Sequence, residues 1–259
     1  MGDITIERHG RGVVRLLMAQ KATRNALGED LRGQLIQALE PLLTKGGARV
    51  VILASGLKDF SVGGDLKKMD DLPDVKAGRQ RIRAAHPLAQ MLLATDIPLI
   101  AEITGHAVGA GAGLALICDT IVMAETASIG FPFARVGLAP DFAIGHTLPQ
   151  RMGLARARQA LLYARSYRGV EALDVGIADD VVAVDKLTLT VMERAEELAA
   201  LPSLALGLTK RMLAHAQDPA AVLDFEAAAQ PLCFASPDFA EGLAAFREKR
   251  KPKFDPDIN

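Results

Sequence analysis

Cysteine is scarce in this chain, with two in 259 residues, and Cys118 and Cys233 have no partner at zinc-ligand spacing. A disulfide framework is thereby excluded, and the usage fits a reducing compartment. A charge excess of either sign is also missing. The 30 basic residues face 31 acidic ones, so nothing in the totals points to nucleic acid or a charged membrane surface. Long apolar runs are absent too. The longest, Ala107 to Cys118, is laced with glycine and falls well short of the roughly 20 residues that span a bilayer. The opening MGDITIERHG has no apolar signal core, so a soluble cytoplasmic setting is expected. What the chain does have is apolar content: 50% hydrophobic and 24% charged residues exclude disorder and suffice for a packed core.

Short β-branched runs alternate with longer helical patterns, the signature of an α/β protein. Ile4 and Ile6 alternate with polar residues, and Gly12 to Leu17 reads as a second strand. From Leu27 the apolar period lengthens, with Leu31, Leu35, Leu39 and Leu42 marking one helix face. Val50 to Ala54 suits a strand buried on both sides. Pro98 to Ile103, Thr120 to Ala124 and Val181 to Val184 are further strand candidates, and Ala155–Ala164 and Leu187–Ala200 read as helices. Beyond about Leu201 strand patterns disappear. Phe239, Leu243 and Phe246 share a face of the last helix. The expected organisation is an α/β core over 1–195 and a helical C-terminal region over 196–259.

Two junctions carry the chemistry. Gly105 to Asp119 follows a strand and is rich in small residues, which let a ligand approach the backbone near a helix start. Tight helix-on-sheet packing would use the same residues. Phe60-Ser61-Val62-Gly63-Gly64-Asp65 follows another strand, with a helix expected next; alone it could be a turn capped by Asp65. Together the two junctions offer the pair of backbone N–H groups that stabilising a thioester enolate requires.

Six pieces in order make the chain resemble the crotonase superfamily, the enoyl-CoA hydratase/isomerase family. They are Arg24-Asn25-Ala26-Leu27, Val51 to Gly56, Phe60 to Leu66, Gly105 to Asp119, Gly137 to Asp141 with Leu148-Pro149, and Glu241 to Arg250. The resemblance implies a crotonase-like ββα superhelix with a C-terminal helical trimerisation region, hence a homotrimer or dimer of trimers. It implies an acyl-CoA thioester as substrate, with CoA entering as part of the substrate and no separate cofactor, metal, nucleic acid or membrane partner. By motif position the oxyanion hole is formed by the N–H groups of Gly64 and Ala110. The implied CoA contacts fall on Ala22, Arg24, Asp65, Leu66, Lys67, Phe246 and Lys249, although for Lys67 or Lys249 taken singly a solvated surface charge is the stronger reading.

The departures narrow the reaction. Hydratases of the family use two glutamates, and those positions here are Gly113 and Phe133. Two-glutamate hydration is therefore not expected. Asp141 matches the aspartate of isomerase branches and could move a proton between two carbons; the plain alternative is a helix N-cap. Phe142 and Ala143 replace glycines usual in those isomerases. Phe133 and His146 are candidate acyl-pocket residues, whereas His9, His86 and His215 read as surface or core histidines. Double-bond isomerisation is the favoured expectation. A hydratase, hydrolase or dehalogenase-like variant, or a catalytically silent CoA-ester-binding protein, are the alternatives.

Overall fold

The computed structural model describes residues 2–44, 47–65, 74–214 and 218–254. The chain opens with an antiparallel pair, β1 (Ile4–Arg8) and β2 (Val13–Met18), followed by α1 (Glu29–Thr44) and β3 (Val50–Ser55). Leu31, Leu35, Leu39 and Leu42 are buried along α1, as their spacing predicts. The helix starts at Glu29 rather than Leu27, with acidic Glu29 and Asp30 in the first turn, where the helix dipole favours them. Every residue from Val50 to Ala54 is buried.

Helices α2 (Val75–Arg83) and α3 (His86–Ala94) lead to β4 (Leu99–Ile103). A short β5 (His106–Val108), α4 (Ala110–Leu116), β6 (Thr120–Ala124) and β7 (Ser128–Gly130) follow. Beyond these come α5 (Ile144–Met152), α6 (Leu154–Leu162), β8 (Ser166–Arg168), α7 (Val170–Asp174) and β9 (Asp180–Val182). Six strands form one sheet in the order β1-β2-β3-β4-β6-β9, parallel apart from the first pair. A second sheet has the order β5-β7-β8. Its three-residue strands are too short to show a period, and sequence patterning misses them all.

Helix α8 (Leu187–Ala199) buries Leu187, Val191, Ala195 and Ala199 in a four-residue stripe against β2, β3, β4 and β6. It belongs to the core layer, and residue 195, the expected edge of the core, lies inside it. The helical region proper comprises α9 (Ser203–Ala214), α10 (Pro219–Phe234) and α11 (Pro237–Glu248). On α11 the phenyl stripe is not folded into the chain's own core: Phe246 is 81% exposed. Among the described residues no helix is long and apolar enough to cross a membrane.

Candidate active site

The two glycine-rich junctions meet. The Ser61 N–H donates to the His106 carbonyl and the Val108 N–H to the Ser61 carbonyl, both at 3.0 Å. Only glycine permits the interlock. A Cβ on Gly63 (φ +94°) would lie 2.5 Å from the Val108 oxygen and 3.6 Å from the Ala110 nitrogen. One on Gly111 would lie 2.6 Å from the Ser61 Cβ. Gly64 and Ala110 are thus brought to neighbouring turns. Ala110 opens α4, where an N–H has no acceptor inside the helix, and no side chain caps that end. Among the described residues no hydrogen bond takes the N–H of Gly64 or of Ala110.

Asn25 and Asp59 tie this pair of turns to the entry loop. Asn25 is fully buried in the left-handed region (φ +57°). Its Oδ1 accepts from the Gln20 N–H at 2.8 Å, and its Nδ2 donates to Ser55 Oγ at 2.9 Å and to the Met18 and Phe60 carbonyls. Asp59 accepts from the Arg24 guanidinium at 2.5 Å and, through Oδ1, from the His106 N–H. Arg24 therefore aims at Asp59. Ala22 and Asp65 line a cavity of about 430 Å³ together with Gln20 and Asp30. Leu66 and Lys67 lie outside the described residues. Phe246 and Lys249 sit at the exposed end of α11 and do not line that cavity.

Asp141 stands in the loop before α5. It is not an N-cap: Ala143 holds that place, and no side chain bonds to the helix start. The backbone carbonyl of Asp141 accepts from the Ile144 N–H at 3.1 Å, while its Oδ1 is buried without a hydrogen-bond partner. Burial pushes the carboxyl pKa above the ordinary carboxylate value, opposed by its own backbone hydrogen bond and by the Arg32 guanidinium. Asp141, Phe142 and Ile144 line a cavity of about 400 Å³, closed on the far side by Ile82, His86, Gln90 and Leu93.

The expected glutamate positions are filled by carbon. A Cβ on Gly113 would lie 2.8 Å from both the Cβ and the carbonyl oxygen of Phe142. Phe133 is buried, its ring 3.7 Å from where a Gly109 Cβ would stand, beside the Ala110 turn. His146 does not join the site. It is exposed, 3.1 Å from Gln150, and lines a different cavity with Asp119 and Lys210, because it lies on a face of α5 that turns away from the Asp141 cavity. His86, read from sequence as a bystander, faces the Asp141 cavity instead. Its position follows from the α2–α3 packing, which no local motif encodes.

The Enoyl-CoA hydratase/isomerase family model matches residues 8–257. The mouse protein named enoyl-CoA hydratase domain-containing protein 2, mitochondrial, is 32% identical over 253 residues, covering 94% of this chain and 84% of its own. The 1,2-epoxyphenylacetyl-CoA isomerase of Escherichia coli is 30% identical over 259 residues, covering 98% of this chain and 99% of its own. The crystal structure of enoyl-CoA hydratase from Bacillus anthracis superposes with a TM-score of 0.91 at 28% identity, over 98% of this chain and all of that one.

Proposed function

The chain belongs to the enoyl-CoA hydratase/isomerase family and has its crotonase-like fold, and from that premise we propose that it shifts a double bond within an acyl-CoA thioester, with Asp141 moving the proton. The thioester oxygen lies between the N–H groups of Gly64 and Ala110. Asp141 takes a proton from one carbon of the acyl group, electrons move into the thioester oxygen to give an enolate, and the same carboxyl returns the proton to another carbon. Two N–H donors aimed at the developing oxyanion stabilise that intermediate. A carboxyl whose pKa is raised by burial is a better proton carrier near neutral pH than an ordinary aspartate.

The observation that carries this reading is that phenylalanines close both glutamate positions, Phe133 by occupying one and Phe142 by packing on Gly113 at the other. Phe142 leaves no room for a side chain at 113, and Phe133 walls the oxyanion turn with carbon. Among the described residues, Asp141 is then the one carboxylate lining its cavity. Gly113 stands three residues beyond Ala110 on α4 and touches Phe142, the neighbour of Asp141, so the loop that carries the base packs on the helix that opens at the oxyanion hole. The nucleotide end of CoA passes Ala22, Arg24 and Asp65. Assembly as a trimer or a dimer of trimers covers Phe246 and brings Lys249 toward a neighbour's site.

Hydration with Asp141 as the sole activator of water is the second reading, favoured by the hydratase names among the relatives. Incubation of 3-enoyl-CoA and 2-enoyl-CoA esters in heavy water separates the two. Double-bond migration without 3-hydroxyacyl-CoA supports isomerisation, and substrate hydrogen retained at carbon marks transfer by a single carboxyl. Accumulation of 3-hydroxyacyl-CoA without migration would overturn it.

A further inference from the structure

The Asp141 cavity has a polar wall that the proposed proton transfer does not use. His86 opens α3 and Gln90 follows four residues later, a spacing that puts both on one helix face. Both line the cavity, and the rest of the α2–α3 wall is apolar, built from Ile82, Ala89 and Leu93 among others. Both are exposed, and among the described residues neither side chain hydrogen-bonds another protein group. Each can donate a hydrogen bond into the cavity. The helix beside that wall is mostly basic, with Asp74 as its N-cap. Helix α2, which supplies Ile82, carries Lys76, Arg79, Arg81 and Arg83 and no acidic residue from Val75 to Arg83. Among the described residues Asp141 is the single acidic one lining the cavity, and it belongs to the loop before α5, not to the α2–α3 wall.

We propose that His86 and Gln90 hold a carboxylate at the end of the acyl group remote from the thioester, so that the preferred substrates are CoA thioesters of dicarboxylic acids. A plain alkyl chain would leave these two donors unanswered in a cavity otherwise lined mostly by carbon. A terminal carboxylate accepts from both donors and is drawn by the basic helix. The volume of about 400 Å³ falls in the range of small-molecule sites. This inference rests on the acyl-CoA reading of the site but not on which reaction follows.

Equilibrium binding of unreactive saturated esters tests it, because no turnover is needed. Titration calorimetry with adipyl-CoA, hexanoyl-CoA and free CoA should show adipyl-CoA bound about ten-fold or more tighter than hexanoyl-CoA. In the His86→Ala/Gln90→Leu variant, its fold checked by circular dichroism, that ratio should fall to within about two-fold. A wild-type protein without the preference, or a variant that keeps it, would overturn the assignment. Equal weakening of free CoA, which has the phosphates but no acyl carboxylate, would give the two side chains to the phosphates and overturn it as well. Absence of binding by all three ligands would remove the acyl-CoA reading itself.

Discussion

Phe142 lies directly over Gly113, so close that a Cβ at 113 would stand 2.8 Å from the Phe142 Cβ. The contact explains two departures from the family pattern as one. The resemblance implies a glutamate at 113 and a glycine at 142, and the contact makes those two departures complementary: Phe142 sits here only because 113 has no side chain. The backbone records the exchange, since Phe142 (φ +50°) and Ala143 (φ +60°) are consecutive residues in the region that favours glycine.

That complementarity predicts the result of rebuilding a glutamate. Gly113→Glu alone drives a side chain into the Phe142 backbone and should lower unfolding free energy by about 3 kcal/mol or more, through overpacking and a buried carboxylate. Adding Phe142→Gly removes the obstructing Cβ, relieves the left-handed strain and frees the loop to move its carbonyl oxygen, so the double variant should recover part of the loss. Urea denaturation of the two single variants and the double variant measures the coupling. Simple additivity would show that the two positions do not act on each other.

Ala143 offers a cleaner test of the strain. Alanine in the left-handed region costs roughly 1–2 kcal/mol, while glycine loses roughly 0.5–1 kcal/mol more chain entropy on folding. Ala143→Gly should therefore stabilise the protein by about 0.5–1 kcal/mol, visible as a small rise in the urea midpoint. A destabilised variant would mean that the Ala143 methyl packs well enough to outweigh the strain.

The main sheet was legible because long buried strands and an amphipathic helix have periods that can be counted. Val50 to Ala54 and the Leu31–Leu42 stripe fall where their patterns put them. The second sheet was not legible, because three residues such as His106–Val108 carry no period and form a strand only by pairing with β7 and with Ser61. At the site, the two junctions and Asp141 were visible as motifs. The structural work of Asn25 and Asp59 was not, since their hydrogen bonds run to Gln20, Ser55, Arg24 and His106 across separate segments. His86 and His146 exchanged their expected places for the same reason. Sequence distance from Asp141 favoured His146, whereas the cavity wall comes from α3.

The last prediction concerns the proton balance of Asp141. Its folded-state pKa is raised, so between the unfolded value of about 3.9 and the raised folded value the native chain binds more proton than the unfolded one. Stability therefore falls as pH rises through that window, the reverse of an ion-paired aspartate. Asp141→Asn removes the ionisation. At neutral pH the variant should be at least as stable as the wild type, and any advantage should vanish below about pH 4, where both wild-type states are protonated. Activity should respond in the opposite sense. Loss of the proton carrier should lower turnover by roughly 10²–10⁴, and the wild-type rate should rise with pH through the raised pKa, because the base form starts the reaction. Melting curves across pH and a pH–rate profile on one 3-enoyl-CoA ester test both halves. A variant that loses stability at neutral pH but keeps its turnover would show that the Asp141 carboxylate supports the fold and takes no part in moving the proton.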